Sequence, residues 1–191
     1  MTDFWFYVSL GFNHVLDFDG FDHMLFLAVL VVGYSVKDWQ KVLGLVTLFT
    51  IGHMASLAYA ALNYFEYNTA LVEFLIPVTI LLTALHRLYT TYKGIYKRSS
   101  WLLYVGTLFF GLIHGLGFAS FFRTMDEATL MPLLQFAIGI ESAQIVIVAI
   151  VVLAGVLLSR FLRLASRLWV YVVCGITIAI LIPILIDLWP F

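Results

Sequence analysis

FGLIHGLGFAS, residues 110–120, sets a histidine in the middle of an apolar, glycine-spaced run. Followed outward, the run stays apolar from about 101 to 122, close to the 20 residues a helix needs to cross a bilayer. Gly111, Gly115 and Ala119 recur every fourth residue, a stripe of small side chains that lets a neighbouring helix come close. A histidine inside such a helix is costly in lipid and persists where it meets a partner, a cavity or an ion. The chain therefore reads as helical and membrane-embedded, and His114 marks the place to look for chemistry.

The rest of the sequence extends this reading. Of its 191 residues 63% are hydrophobic and 11% charged, against about 25% charged in soluble domains. Apolar stretches at about 20–36, 42–62, 69–92, 101–122, 130–158 and 168–189 imply six transmembrane helices in a single all-α domain spanning residues 1–191. The aromatic segment 4–16 is short for a span and reads as an N-terminal interfacial or re-entrant helix, with a seventh span as the alternative. Trp5, Trp39, Trp101, Trp169 and Trp189 all fall near these boundaries, as interfacial anchors do. A net charge of −1 speaks against a nucleic-acid partner, and the lone Cys174, in an apolar run, excludes disulfides and thiolate clusters.

Basic residues crowd alternate loops: Lys37 and Lys41, then Lys93, Lys97 and Arg98, then Arg160, Arg163 and Arg167. The other loops hold Glu66, then Arg123 with Asp126 and Glu127, and the C-terminal end has Asp187. By the positive-inside rule the N-terminal segment and the C-terminus lie outside.

Depth then follows from the 1.5 Å rise per residue. His53, in FTIGHMAS (49–56), lies roughly 14 Å from the outer helix end, His114 roughly 12 Å and Glu141, in FAIGIESAQ (136–144), roughly 16 Å. Asp22 and His23 come out shallower, roughly 5 Å in, just after His14, Asp17 and Asp19. The expected arrangement is an acidic, imidazole-rich entrance above a deeper site. One intramembrane histidine can simply make an interhelical hydrogen bond; three ligand-type side chains at matched depth, two imidazoles and a carboxylate, favour an ion or proton site. Imidazoles with one or two carboxylates and no thiolate suit a divalent first-row transition metal, imidazole favouring Zn, Ni, Cu and Fe, rather than Mg or Ca, and the scarcity of Met and Cys disfavours Cu(I). The metal-site residues are His14, Asp17, Asp22, His23, His53, His114 and Glu141. Thr50 and Gln144 would orient them, and Glu73 would line the pathway. Arg87 is expected to snorkel to the cytoplasmic face, and His86 to be structural or to serve an inner exit.

GFNHVLDFDGFDHMLFLAVL (11–30), FTIGHMASLAYAAL (49–62), FFGLIHGLGFAS (109–120) and FAIGIESAQ (136–144) together resemble the HupE/UreJ family of small bacterial membrane proteins, over residues 11 to about 150. The resemblance implies a nickel or cobalt permease of the bacterial inner membrane. It matches His14, Asp17, Asp22 and His23 to the first family motif, His53 to the second, His114 with Gly115 to the third and Glu141 with Gln144 to the fourth. Two function classes stand at this point. In a transporter, Asp17, Asp19 and Asp22 concentrate cations, the histidines with Glu141 hold the ion transiently, and Glu141 carries a coupling proton. In a metal-dependent membrane enzyme, a hydrolase or oxidoreductase on a lipid or membrane-embedded substrate, the same ligands keep a catalytic ion with an open position. The partners expected are the metal ion and the lipid bilayer, with a homo-oligomer or a membrane partner left open.

Overall fold

The computed structural model describes residues 2–17, 21–63, 67–95, 101–123, 130–161 and 165–189, and it is all-helical over them. The helices are α1 (Thr2–Leu16), α2 (Asp22–Val31), α3 (Trp39–Asn63), α4 (Thr69–Tyr92), α5 (Trp101–Arg123), α6 (Leu130–Phe161) and α7 (Ser166–Asp187). A single 3-10 turn, Val36–Asp38, leads into α3, with the Ser35 backbone N–H and hydroxyl both donating to the Asp38 carboxylate at 3.0 and 2.8 Å. Asn68 caps α4 by accepting from the Leu71 N–H at 3.1 Å. Among the described residues, four helices are long and apolar enough to cross a membrane: Val36–Ala61, α4, α6 and α7. The 23-residue α5 carries a shorter apolar stretch, Leu103–Ala119. Together these make the chain a helical membrane protein.

The stretch expected to span at 20–36 folds differently. Its helix, α2, has only 10 residues, about 15 Å of rise and half a hydrocarbon core. A helix that stops inside a bundle leaves its last carbonyls without partners. Arg87 supplies them. Its guanidinium donates to the carbonyl oxygens of Val29, at 3.2 Å, and Leu30, and lies 4.4 Å above the Tyr34 ring. At 2% exposure Arg87 is buried, which corrects the expectation that it snorkels outward. A cation at that end also complements the helix dipole, as Asp22 does in the first turn.

Close helix packing rests on glycine pairs. A methyl group added at Gly52 of α3 would overlap the Leu108 carbonyl of α5, and one at Gly111 or Gly115 would overlap the carbonyls of Phe49 or His53. With Ala119 fully buried, the small-residue stripe on α5 seats α3 as expected. A second pair, Gly11 of α1 and Gly139 of α6, interlocks in the same way. The 15-residue α1 is thus packed along α6 and buries Tyr7, Gly11 and Val15. Trp5, Trp39, Trp101 and Trp189 are exposed. Asp19, Glu66, Lys97, Arg98, Asp126, Glu127 and Arg163 lie outside the described residues, and the Arg123 side chain is likewise not described.

Candidate metal centre

Four helices each deliver one imidazole to a single place. His53 and His114 sit mid-helix on α3 and α5, brought together by the glycine contacts that join those helices. His14 comes from the last turn of α1, and His23 from the first turn of α2. His23 nevertheless meets the rings of His53 and His114, so the expected split into a shallow entrance and a deeper layer does not hold. Depth counted from an assumed surface start placed His23 too shallow.

His23 is the hub. Its ring centroid lies 4.8 Å from that of His14, 5.6 Å from His53 and 5.4 Å from His114. The rings of His14 and His53 are 5.7 Å apart. Ligand atoms of His14, His23 and His53 all fall within 4.8 Å of one another. Nitrogens bound to one ion through bonds of about 2.0–2.1 Å lie about 3–3.5 Å apart, so small side-chain rotations suffice to close this set on a cation. His114 stands across His23, as a fourth ring outside that triad.

Hydrogen bonding turns nitrogen lone pairs into the site. A carbonyl oxygen only accepts, so His114 Nδ1 carries the proton it donates to the Phe110 carbonyl at 2.8 Å. His23 Nδ1 lies 3.1 Å from Asp22 Oδ1, which also accepts from the His23 backbone N–H at 2.8 Å. In the neutral form of each ring this leaves the lone pair on Nε2, the arrangement a metal-binding histidine takes when its other nitrogen is tied to an oxygen. Among the described residues, Nε2 of His14, His23 and His114 and both ring nitrogens of His53 are buried without a hydrogen-bond partner. Each buried unpaired polar atom costs roughly 1–3 kcal/mol. Five in one place is a large standing cost, and a bound cation could engage at most one nitrogen of each ring, four of the five.

Other candidate residues fall elsewhere. Glu141 is taken up by α3: Thr47 and Thr50 hydroxyls contact its two oxygens, each at 2.6 Å, and Thr50 also lies 2.9 Å from Gln144 Oε1. Glu141, Thr50 and Gln144 thus form a hydroxyl–carboxylate–amide network of their own, and Glu141 is not in the histidine triad. Asp17 is exposed beyond the end of α1. Glu73 is exposed and shares a cavity with Asp22. Sequence reasoning missed Thr47, one turn before Thr50, which the i, i+3 spacing on one helix face signals. It also missed the aromatic residues against the cluster: Phe49 at 5.1 Å from His114 and Phe26 at 5.5 Å. Their apolar character gives them no mark in a chain this rich in Phe.

Comparison with known proteins adds one match. No curated protein and no solved structure matches the chain. A family model described as HupE / UreJ protein matches residues 1–189, nearly the whole length. The chain, with its four-histidine cluster inside a helical membrane bundle, is a member of the HupE/UreJ family.

Proposed function

We propose that the protein is a membrane permease for a divalent transition metal of the nickel or cobalt type, and that His14, His23, His53 and His114 hold the ion in transit. The observation that carries this reading is the set of buried, unpartnered ring nitrogens on four different helices. Their donor chemistry narrows the cargo to a divalent first-row transition metal (Ni, Co or Zn among them), and the nickel or cobalt choice comes from the family. Asp22 orients His23 and partly offsets the charge of the ion. Asp17, exposed beside the cluster's helix, helps to gather cations at the approach. Glu141, held by Thr47 and Thr50 with Gln144 behind them, lies beside the path and serves as the proton-carrying carboxylate of a coupled cycle.

In this reading the chain sits in the bacterial inner membrane with the N-terminal segment and the C-terminus outside. The six crossings of this reading are α2 to α7, the first of them short at 10 residues. The test is uptake of nickel into proteoliposomes, with equilibrium binding measured in parallel. His53→Ala and His114→Ala each abolish uptake and weaken binding; uptake retained in both variants sinks the proposal.

One observation favours a second reading, a metal-dependent membrane enzyme. His23, His53 and His114 are at most 3% exposed, and so closed a site suits a resident catalytic ion as well as a passing one. Metal content after chelator-free purification separates the two: a full, non-exchanging complement indicates the enzyme, and rapid exchange with free nickel indicates the permease.

A further inference from the structure

Two cavities open at the two ends of α2, one on each side of the histidine cluster. The first, about 310 Å³, is lined by Asp22 and Leu25 of α2, Glu73 and Pro77 of α4 and Leu188 beyond α7. The second, about 180 Å³, is lined by Leu30 of α2, Thr83 and His86 of α4, and Gly106, Thr107 and Phe110 of α5. They lie toward opposite ends of the bundle: Glu73 is near the start of α4, whereas Leu103, which also lines the second cavity, is near the start of α5.

The α2 helix measures what separates them. Asp22, Phe26 and Leu30 are spaced by four and share one helix face. Over about 12 Å of rise, that face passes from a carboxylate, beside His23, to an aromatic ring, to an apolar residue of the second cavity. At the middle step Phe26 stacks on Phe49 with centroids 4.7 Å apart and meets Phe110 at 6.1 Å. Phe26 and Phe49 are both fully buried. Phe49 in turn touches His23 at 6.0 Å and His114 at 5.1 Å. The three phenylalanines thus form a floor beneath the histidines, and Phe110 is common to that floor and to the second cavity.

We propose that the Glu73–Asp22 cavity is the mouth through which a hydrated divalent cation reaches His23, that the His86 cavity is the release site, and that Phe26, Phe49 and Phe110 form the barrier between them. The inference rests on the cluster being a site for cargo and adds its route. Carboxylates at the mouth attract a cation that still carries its water. Rings that offer no ligand atom make the next step costly until they move, which is how an apolar constriction gates. The release cavity has a weaker donor set than four imidazoles. Thr83 and Thr107 give their hydroxyl protons to the carbonyls of Thr79 and Leu103, each at 2.8 Å, which leaves oxygen lone pairs for a cation beside the His86 ring. The buried positive charge of Arg87, next in sequence, shortens the stay there. Binding that weakens along the route is what conduction requires.

The test is sided labelling of a cysteine in the release cavity. Gly106 lines that cavity, and a Cβ added there meets nothing within 4 Å, so Gly106→Cys in a Cys174→Ala background fits without strain. A charged, membrane-impermeant thiosulfonate is applied to oriented vesicles from either side. The expected result is labelling only from the side bearing Lys93, the C-terminal end of α4. Adding Phe26→Ala should open labelling from the Asn68 side as well and raise nickel flux about tenfold, with nickel affinity within about threefold of the parent. If Phe26→Ala does not fold, Phe26→Leu should give a smaller change of the same sign. Labelling of the parent from both sides, or no new labelling in either Phe26 variant, overturns the barrier. No labelling from the Lys93 side overturns the release cavity. The labelling needs no metal, so it separates failure of the route from failure of the cargo reading, which shows instead as absence of nickel binding by the wild-type protein.

Discussion

Two polar clusters lie inside this bundle, both in contact with α3, and they are built in opposite ways. Around Glu141 most acceptors meet donors: the Thr47 and Thr50 hydroxyls reach both carboxylate oxygens and Thr50 lies 2.9 Å from Gln144 Oε1, with the buried Gln144 Nε2 left unpaired. Around His23 four imidazoles gather with five ring nitrogens that no protein group satisfies. The first cluster is nearly complete as protein. The second is left with orphaned ring nitrogens, which a cation in the proposed role would engage. That contrast is what the proposed metal site rests on.

The sharpest way to break the comparison is to remove a hub ligand. His23→Ala should weaken nickel binding by more than about 100-fold, exceeding the effect of losing a supporting residue, and should lower stability by about 1–3 kcal/mol, since it empties a buried ring position and breaks the Asp22 contact while removing one unpaired nitrogen. Titration calorimetry and thermal unfolding in detergent read the two quantities separately. Acidification should mimic the variant, since protons compete with the cation for the free lone pairs; nickel retention should therefore fall as pH is lowered.

Next comes the device that lets α2 stop inside the bundle. Arg87→Ala strips the Val29 and Leu30 carbonyls of their donor and should cost roughly 2–4 kcal/mol of stability, with Arg87→Lys intermediate. Unfolding curves check it. A smaller effect belongs to Asp22→Asn, which keeps the shape beside His23 but removes the charge that holds its tautomer. Nickel affinity should fall by about 10–100-fold, the usual cost of losing a supporting carboxylate. The smallest is Glu141→Gln. Its amide still accepts from Thr47 and donates toward Thr50, so binding should change by less than about threefold and stability by less than about 1 kcal/mol. If Glu141→Gln removes nickel as completely as His23→Ala, the two clusters are one site and the contrast collapses.

The later helices were legible with little error. Residues 69–92 were read as a span and form α4, Thr69–Tyr92, and 101–122 became α5, Trp101–Arg123. Length and apolarity suffice there because lipid demands both. The start of the chain resisted the same logic, since the end of α2 depends on Arg87, 58 residues away from Val29. No local signal at Val31 announces that stop. The identity of the histidines was legible, but their grouping was not. Counting depth from an assumed membrane surface split them into an entrance and a deeper layer, whereas the His23 ring meets the other three. The placement of Glu141 was hidden for another reason. On helices apolar all round, with lipid on one side and protein on the other, hydrophobic periodicity does not reveal which face a carboxylate shares.

The most direct test of the central claim is X-ray absorption at the nickel edge on the nickel-loaded, purified protein. The expected result is a first shell of nitrogen and oxygen at about 2.0–2.1 Å, the range of imidazole–metal bonds, with multiple-scattering features from three or more imidazoles that diminish in His23→Ala and are unchanged in Glu141→Gln. A shell of oxygen alone, or imidazole features that survive loss of His23, would contradict it.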